Sequence, residues 1–306
     1  MFQEKRPLFL YCLSPVHMGA GTALGVIDNP IQREKHTGHP VMAGSGLKGA
    51  LRHDRSQEWD EDKLLSIFGP NTDDTAEYAG AVSFSDAQLV AFPVRSPKRT
   101  FVYATSPTAL ARAARLHHSA DVVCPWVGTI PMVQTDQCCI VDPDLKTGEK
   151  VALESFEFTA IDHEISTISK WLAEHALPQG DAYKFFRDKM KNDLVLLSDE
   201  DFNYFVQNST VVEPHVRIDD VTGTASEGGL FYTENLPPES LMLSLIMASK
   251  ERRRNGNKLS AKEVMNLLVD GNDKISGIKE LMFQIGGEAT TGRGQVVLSV
   301  LGKEGE

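Results

Sequence analysis

The most constraining feature of the sequence is an apolar run near its start, followed by a long segment without a regular pattern. Residues 8–13 (LFLYCL) are continuously apolar and predict a buried strand that ends at Ser14-Pro15. The next segment, residues 17–40, contains several glycines, two prolines and three histidines, and its apolar residues keep no sustained period. We therefore predict a long ordered loop, and such loops inside compact domains are usually functional.

The length and composition indicate an ordinary soluble globular chain. A chain of 306 residues can bury a large core, and we take one elaborated domain over residues 1–306 as its organisation. Hydrophobic residues make up 41% of the chain and charged residues 24%, and no apolar run is long enough to span a bilayer. No small-residue cleavage site follows the N-terminal apolar stretch, so we expect no signal peptide and no membrane partner.

The cysteines and the net charge narrow the class further. The four cysteines form no CxxC pair and no cluster with zinc spacing, so we predict reduced core residues in a cytoplasmic protein. The net charge of −11 argues against a freely diffusing, non-specific nucleic-acid binder, because phosphate contacts need concentrated Lys and Arg. A local basic groove remains compatible with this charge, since charges beyond about 8–10 Å are screened at physiological salt.

Strand and helix patterns alternate along the chain, which predicts an α+β fold. Helices are predicted at about 46–54, 60–68, 106–117, 260–269 and 274–283, with the most helical stretch at 163–206. Strands are predicted at 41–43, 81–85, 88–94 and 101–104, in an extended β-hairpin within 210–236 that leads into a core strand, and at the C-terminus. Side-chain caps are predicted at Ser45, Ser106, Ser198 and Ser260. Residues 70–79 are predicted to form a mobile loop, and residues 120–150 are rich in turns.

The sequence GSGLKG at 44–49 satisfies the dinucleotide-binding pattern GxGxxG, but its context does not. That fold needs a strong preceding strand and an acidic residue about 20 positions downstream that closes a second strand. A helix N-terminus presents free N–H groups, and Lys48 and Arg52 add positive charge one turn apart on the same face. We favour a phosphate-binding helix over a merely solvated one.

Two further segments are candidates for contact with an anion. IGGEATTGRGQ at 285–295 combines four glycines with Thr290, Thr291 and Arg293, and glycines let the backbone approach a ligand closely and expose its amides. We favour phosphate binding there over a plain surface turn. KERRRNGNK at 250–258 is the one basic run, and it is more often a solvated loop, although contact with RNA or an acidic neighbour is the alternative.

The long loop holds the candidate catalytic groups. Asp28 lies within VIDNP, where a carboxylate is usually only a turn former. His17, His36 and His39 in the same region offer acid–base chemistry, against the plain alternative of surface histidines. Taken alone, this pattern does not separate a catalytic loop from a structural one.

Three segments, in their order, resemble one family. They are residues 14–52 (SPVHMGAGTALGVIDNPIQREKHTGHPVMAGSGLKGALR), residues 80–96 (GAVSFSDAQLVAFPVRS) and the closing IGGEATTGRGQVVL. Together they resemble the RAMP-superfamily backbone subunit of type III-B CRISPR (Cmr) effector complexes. The resemblance covers both ends of the chain and much of its middle, and the first segment is highly specific.

The resemblance implies a ferredoxin-like or RRM core with a helical insertion and a β-hairpin called the thumb. The core would come from residues 1–160 and 240–306, the insertion from about 161–206 and the thumb from about 207–239. It also implies copies of the chain in a filament along a guide RNA, together with other subunits of the CRISPR complex. Each copy would cleave a complementary target RNA at regular intervals in a reaction that needs a divalent metal ion, Mg²⁺ or Mn²⁺.

The resemblance also assigns residues by position. Asp28 matches the carboxylate needed for cleavage in the loop after the first strand, and Glu234 and Tyr232 are the nearest matches to acidic and aromatic thumb residues implicated in cleavage. His17 would orient groups or stabilise charge. Guide-RNA contacts are expected from the following set, with Gly46 standing where the family often has a second serine: Ser45, Lys48, Arg52, Arg217, Gly286, Gly287, Thr290, Thr291, Gly292 and Arg293.

The reaction we expect is attack of a ribose 2′-OH on the adjacent phosphate, which leaves a cyclic phosphate and a 5′-OH. Asp28 would act either as the general base or as a metal ligand, and the sequence does not separate these roles. Two other hypotheses remain open at this point. One is a guide-RNA scaffold without catalytic activity, and the other is a guide-processing endoribonuclease that acts as a single copy.

Overall fold

The computed structural model describes residues 2–21, 25–70, 78–253 and 258–302. Its helices are α1 (Gly44–Arg55), α2 (Glu61–Phe68), α3 (Pro107–Ser119), α4 (Ser166–His175), α5 (Lys184–Asn192), α6 (Asp199–Asn208) and α7 (Ala261–Val269). Its strands are β1 (Glu4–Cys12), β2 (Val41–Met42), β3 (Val82–Phe84), β4 (Ala87–Ser96), β5 (Thr100–Thr105), β6 (Gln137–Ile140), β7 (Lys150–Leu153), β8 (Phe156–Ala160), β9 (Leu194–Leu197), β10 (Val211–Ile218), β11 (Ala225–Asn235), β12 (Leu241–Ala248), β13 (Gly271–Asn272), β14 (Ile275–Ser276), β15 (Met282–Gln284) and β16 (Gln295–Val300).

The first strand lies inside a large mixed sheet and explains the continuous apolar run. The strand order is β15-β16-β1-β12-β4-β5-β9-β6-β8-β7, and β2 and β3 pair with β4 and β12. Side chains alternate across a strand, so Leu8 and Leu10 enter one core while Phe9 and Tyr11 enter a second core on the opposite face. Both faces of β1 are therefore covered, as a strand without polar alternation requires.

Helices cover the two faces of the sheet. Leu47 of α1, Leu64 of α2 and Val264 of α7 pack into the core that contains Leu8 and Leu10. Leu110 of α3 and Leu172 of α4 pack into the core that contains Phe9 and Tyr11. This layered α+β arrangement confirms the predicted fold class.

Several helix ends were predictable from local chemistry. The side chain of Ser106 accepts a hydrogen bond from the amide of Ala109 at the start of α3. At the start of α7, Ser260 and Glu263 form the reciprocal capping box that their spacing predicts. The cap predicted at Ser198 is also present, whereas the cap predicted at Ser45 is wrong: α1 begins at Gly44, and Ser45 lies inside its first turn.

Two element predictions are corrected by the structure. The segment predicted as helix at 274–283 instead contains β14 and the start of β15. The helical stretch at 163–206 is interrupted by β9, whose four residues are all buried and which pairs with β5 in parallel, Tyr103 opposite Leu194. A short apolar run fits a buried helix or a buried strand equally well, and only its partner in the sheet decides.

The predicted hairpin is present as a separate two-stranded sheet of β10 and β11, which we call the thumb. Asp219 closes its tip by accepting hydrogen bonds from the amides of Val221 and Thr222. The base of the thumb leads directly into β12 at the centre of the main sheet. Its position is therefore set by the core.

Three smaller outcomes concern the cysteines, the membrane prediction and two loops. All four cysteines are buried free thiols, as predicted. Among the helices of the described residues, none combines the length and the apolar character needed to cross a membrane. Residues 71–77 of the predicted mobile loop and residues 254–257 of the basic run lie outside the described residues.

Candidate functional site

The long loop and the residue before it join the free edge of β11 at the base of the thumb. Val16 forms an antiparallel bridge with Leu236, and Asn29 forms a parallel bridge with Thr233. The Asn29 amide donates to the carbonyl of Tyr232 at 3.0 Å, and the Glu234 amide donates to the carbonyl of Asn29 at 3.0 Å. The loop after the first strand and the thumb therefore form one unit.

Asp28 is placed at this junction. Its Oδ2 accepts a hydrogen bond from the backbone amide of Tyr232 at 2.8 Å, across 204 positions of sequence. The residue is partly exposed, and this amide is the only hydrogen-bond donor to its carboxylate among the described residues. One carboxylate oxygen is thus anchored, and Oδ1 remains available to a ligand.

His17 lies two positions further along the same strand edge. Its Nδ1 is 2.8 Å from the carbonyl oxygen of Glu234, which indicates the tautomer with a proton on Nδ1 and leaves Nε2 as an acceptor. A strand rises about 3.3 Å per residue, so the contacts of Asp28 and His17 with β11 are separated by roughly 7 Å. The structure brings these two predicted residues to one surface.

The imidazole of His17 also packs closely against the backbone at two glycines, Gly19 and Gly287. A Cβ at Gly19 would lie 2.9 Å from Nε2 of His17, and a Cβ at Gly287 would lie 3.3 Å from its ring. The Gly287 amide donates to the carbonyl of His17 at 2.9 Å. His17 therefore links the long loop to the glycine-rich segment at 285–295, which we call the C-terminal loop.

Glu234, which the resemblance suggested as a catalytic acid, is buried and fully engaged. Its Oε1 accepts from Arg33 at 2.5 Å and from the hydroxyl of Thr210 at 2.8 Å, and its Oε2 accepts from the amide of Ile31 at 3.1 Å. The residue is 3% exposed. In this arrangement its carboxylate braces the loop and does not face a substrate, so a chemical role for Glu234 stays a prediction that these contacts disfavour.

The thumb carries an exposed apolar surface next to Asp28. Val212, Val216 and Leu230 are 43%, 47% and 55% exposed, and Tyr232 is 36% exposed directly beside the Asp28 contact. Arg217 is exposed near the tip. An exposed aromatic side chain on a two-stranded ribbon can stack on a nucleic-acid base, and exposed aliphatic side chains can insert between neighbouring bases.

The predicted cations of helix α1, Lys48 and Arg52, are partly buried. Lys48 donates to the carbonyl of Val82 at 3.0 Å, and Arg52 donates to the carbonyl of Pro70 at 3.0 Å. Burial lowers the pKa of Lys48, and the positive charges of Arg52 and Arg252 lower it further. Three cations are therefore close together, and a bound phosphate would relieve their mutual repulsion.

The N-terminus of α1 is only partly free. Asp86 accepts a hydrogen bond from the first amide of the helix, that of Gly44, at 2.8 Å. Ser45 and Gly46 of the same turn are exposed. An anion at this helix end would bind to the amides of these two residues, next to a carboxylate that already satisfies the first one.

The C-terminal loop is shaped by residues in left-handed backbone conformations. Gly286 has φ +84°, and a Cβ there would lie 2.4 Å from the carbonyl oxygen of His17, so this glycine is needed for packing. Gly292 has φ +79°, yet a Cβ at this position would meet nothing within 4 Å and would face open space. Thr291 donates its hydroxyl to the carbonyl of Glu288, and Thr290 is exposed.

Arg293 connects the C-terminal loop to the thumb. Its guanidinium forms an ion pair with Glu213 of β10, and its side chain is 21% exposed. The predicted RNA contact at Arg293 would therefore compete with an existing ion pair. In the basic run, Arg253 is similarly paired with Asp62 at 3.2 Å and with Glu251 at 2.5 Å.

Sequence reasoning missed the residues that hold the long loop in place. Arg33 and Glu34 lie within residues 14–52 but were not singled out there, Thr210 belongs to no motif, and the charged partners of all three lie outside that segment. The adjacent opposite charges of Arg33 and Glu34 were the only available signal. Such pairs are common on solvated surfaces, so the pattern alone did not separate them from ordinary surface charges.

Within the described residues, no group of three or more His, Cys, Asp or Glu side chains is arranged to hold a metal ion. Mg²⁺ is nevertheless often bound through one or two carboxylates together with phosphate oxygens of the substrate. Asp28, with one oxygen anchored and one available, fits such a shared site. The chain by itself supplies one hard oxygen ligand there.

A comparison with known protein families agrees with this fold. The model of the RAMP superfamily matches residues 9–297. The chain therefore belongs to the RAMP superfamily. Its sequence is 36% identical over 293 residues to the CRISPR system Cmr endoribonuclease Cmr4 of Pyrococcus furiosus, covering 95% of this chain and 94% of that protein. It is also 23% identical over 259 residues to the CRISPR system CMR subunit Cmr4 of Saccharolobus solfataricus, covering 79% and 84% of the two chains.

Solved structures give the same result. The chain matches the crystal structure of oligomeric Cmr4 from Pyrococcus furiosus with a TM-score of 0.72 and 30% identity, over 97% of this chain and 98% of that chain. It matches a subunit in the cryo-EM structure of the Type III-B Cmr-beta bound to cognate target RNA with a TM-score of 0.72, over 98% of both chains. The identity in that second match is 19%, so it supports the fold alone.

Proposed function

We propose that this chain is a guide-RNA-binding backbone subunit of a type III-B CRISPR effector complex and that it cleaves a complementary target RNA. The observation that carries the proposal is the 36% identity, over nearly the whole length of both chains, to a relative named as an endoribonuclease. The same relative has been crystallised as an oligomer, which supports repeated copies along a guide.

Asp28 is the catalytic carboxylate in this proposal. Its anchored Oδ2 fixes the side chain against β11, and the exposed Tyr232 and Leu230 follow on the same strand. A thumb that separates two nucleotides of the target can turn a ribose 2′-OH toward the adjacent phosphate. Oδ1 of Asp28, at the base of the thumb, is then able to accept the 2′-OH proton.

The proton and bond changes balance without a further reactant. The 2′-oxygen forms a bond to phosphorus, the bond from phosphorus to the 5′-oxygen breaks, and a 2′,3′-cyclic phosphate and a 5′-OH result. Asp28 takes the proton from the 2′-OH in its role as general base, and the leaving 5′-oxygen takes a proton from water. Asp28 afterwards returns its proton to the solvent, so no further reactant is consumed. With Nδ1 held by the Glu234 carbonyl, Nε2 of His17 orients a hydroxyl or water at the same edge.

We also propose a divalent ion, Mg²⁺ or Mn²⁺, at this site, which RNA phosphate oxygens would hold directly and Asp28 would hold through a water molecule, so that Oδ1 stays able to accept the 2′-OH proton. Such an ion would neutralise charge that develops on the phosphate. A metal-free preparation treated with a chelator is expected to lose cleavage while it keeps guide binding. Cleavage that persists at full rate in the chelator would leave Asp28 as a base alone.

For the guide RNA we propose two contact regions. The first is α1, with the exposed Ser45 and the partly buried cations Lys48 and Arg52. The second is the C-terminal loop, with Gly292 open to solvent and Thr290 exposed. Arg217 on the thumb is positioned to contact the target strand or the guide strand near the tip.

The central test is Asp28→Asn in single-turnover cleavage of a guide-complementary RNA. Asn keeps the shape and can still accept from the Tyr232 amide, but it loses charge and basicity, so the rate is expected to fall ~10²–10⁴-fold. Binding of guide and target should stay unchanged. Asp144→Asn, at an exposed carboxylate between β6 and β7, is the matched control.

Three results would contradict this proposal. Cleavage within a few-fold of the unmodified protein would remove Asp28 from the mechanism. An equal loss of binding and cleavage would make Asp28 an organiser of the loop. A chain that binds guide RNA but shows no cleavage before any substitution would be a scaffold subunit.

A further inference from the structure

The segment that follows Asp28 is held by an arginine that reaches three parts of the fold. One terminal nitrogen of Arg33, Nη2, donates to Oε1 of Glu234 on the thumb at 2.5 Å. The other, Nη1, donates to the carbonyl of Gly38 within the loop at 2.7 Å and to the carbonyl of Val206 near the end of α6 at 3.2 Å. The Arg33 side chain is 23% exposed.

The carboxylate of Glu234 connects Arg33 to the loop backbone close to Asp28. Its Oε2 accepts from the amide of Ile31, three positions after Asp28, and its Oε1 is shared by Arg33 and Thr210. With a side-chain exposure of 4%, Glu234 would be a costly unpaired charge without its arginine partner. The pair thus ties the loop backbone to β11.

A second ion pair holds the next residue of the loop. The carboxylate of Glu34 accepts hydrogen bonds from both terminal nitrogens of Arg112 on α3. Burial opposes ionisation of Glu34, but the hydrogen bonds from Arg112 and Thr37 outweigh it and lower the pKa of this carboxyl. The chain from Ile31 to Gly38 is therefore clamped to the thumb, to α6 and to α3.

We propose that Arg33 is a positioning residue for the cleavage reaction. Through Glu234 it sets where the backbone at Ile31 lies, and hence where Asp28 meets the edge of β11. The inference rests on the proposed function in so far as Asp28 is the cleavage carboxylate. Arginine suits this role because its planar guanidinium donates hydrogen bonds to one carboxylate and two backbone carbonyls at once, whereas lysine has a single ammonium group.

The alternative is that Glu234 itself takes part in the chemistry, and a double substitution separates the two. Arg33→Met keeps the length of the side chain and removes its charge, which leaves Glu234 buried and unpaired. Glu234→Gln in the same chain removes that unpaired charge while it keeps an acceptor for the Ile31 amide. If Glu234 only positions the loop, the second change partly repairs the first.

We expect Arg33→Met to lower the single-turnover cleavage rate roughly 10- to 100-fold, since a shift of about 1 Å in a reacting group has an effect of this size. Guide and target binding should stay within about 2-fold, because Arg33 faces the protein interior. The double variant should regain at least ~5-fold over Arg33→Met, a non-additive result expected of partners in contact. A double variant no faster than Arg33→Met would overturn the inference in favour of chemistry at Glu234.

Hydrogen exchange provides a readout that does not depend on cleavage. The amides of Asn29 and Ile31 are protected by β11 and by Glu234, so Arg33→Met should speed their exchange by ~10-fold or more. The matched control is Arg95→Met at an exposed arginine of β4, 3.5 Å from Glu154, which should leave both amides unchanged. Unchanged exchange in Arg33→Met would overturn the positioning role whatever Asp28 does.

This pair of measurements keeps the two proposals distinct. Faster exchange together with full cleavage by Asp28→Asn would refute the catalytic assignment and leave the clamp standing. If Arg33→Met does not fold, Arg33→Lys takes its place, because it keeps the charge for Glu234 and loses some of the N–H donors of the guanidinium. Arg33→Lys should then show intermediate exchange and cleavage, and a lysine variant equal to the unmodified protein in both would overturn the inference.

Discussion

Lys48 and Arg52 show how a residue can be predicted for a ligand and still have a protein partner. Both donate to backbone carbonyls, and the pKa of Lys48 is lowered by burial and by the charges of Arg52 and Arg252. Each cation keeps further donors, because an ammonium has three N–H groups and a guanidinium has five. The contacts therefore hold the two side chains in place and leave N–H donors free for a phosphate.

The Lys48→Ala and Arg52→Ala variants are each expected to weaken guide-RNA binding and to flatten its salt dependence. Loss of one phosphate contact on single-stranded RNA should reduce the slope of log affinity against log salt by about 0.7. Sequence preference should not change, since phosphate contacts carry no base information. Affinity measured over a salt series tests this, and unchanged slopes in both variants would exclude a phosphate site on α1.

Glu239 is a titratable group that the proposed reaction does not use. Glu239 lies between β11 and β12 and accepts a hydrogen bond from the Tyr11 hydroxyl. Burial raises the pKa of its carboxyl to about 7. A raised pKa means that the folded state favours the protonated form. The stabilising contribution of Glu239 is fully present below the ordinary value of 4.5 and is lost as the pH rises through about 7.

The Glu239→Gln variant should therefore be more heat-stable than the unmodified protein at pH 8 and equal to it at pH 5. A gain of about 1 kcal/mol at high pH corresponds to a Tm increase of roughly 2–4 °C in a chain of this size. The glutamine carbonyl still accepts from Tyr11, so packing is kept. Thermal melts at the two pH values give the result, and the same Tm difference at both would show that Glu239 does not titrate in this range.

At the scale of elements, the C-terminal loop combines two kinds of glycine. Gly286 is needed for packing against the carbonyl of His17, whereas Gly292 faces open space and has only its left-handed φ to restrict it. The loop, the long loop and the thumb meet through His17 and through the ion pair of Arg293 with Glu213. A substitution at Gly286 should therefore disturb the packing of these elements, whereas one at Gly292 should change only the surface open to a ligand.

Gly292→Val is expected to weaken RNA assembly about tenfold, the equivalent of roughly 1.4 kcal/mol, because a side chain blocks close approach of the guide backbone. Its cost to folding should be limited to the strain of a left-handed residue, about 1–2 kcal/mol. Gly286→Val is the matched variant and should lower the Tm further, since its Cβ collides with backbone. Normal RNA binding by Gly292→Val would make the loop purely structural.

At the scale of the whole molecule, a net charge of −11 is combined with a function that needs contact with RNA. The candidate contacts are concentrated on α1, the C-terminal loop and the thumb, which the fold brings next to the long loop. Acidic residues elsewhere are screened from this surface over about 8–10 Å at physiological salt. Binding is then expected to depend on several copies along one RNA.

The purified chain should form multimers on RNA whose mass rises in regular steps with RNA length. Each added copy contributes its own phosphate contacts, so assembly should weaken sharply as salt increases. Asp28→Asn should give the same steps, because it changes cleavage and not binding. Light scattering on a series of RNA lengths measures this, and a single copy at every length would favour the guide-processing alternative.

Much of the architecture was determined by local sequence. The unbroken apolar run at residues 8–13 requires a strand covered on both faces, and the caps at Ser106 and Ser260 follow from side-chain chemistry within three residues. The resemblance carried by residues 14–52 gave the family. The short run of β9 was missed, because four apolar residues fit either element until the neighbouring strand is known.

The site itself was decided by tertiary structure. The sequence marked Asp28 and His17 as candidates, but not that both would contact one edge of β11, more than 200 positions away. It suggested Glu234 as an acid, whereas the fold pairs this residue with Arg33 and buries it. Burial and long-range pairing decide whether a carboxylate braces a backbone or faces a substrate, and those properties arise only when distant strands meet.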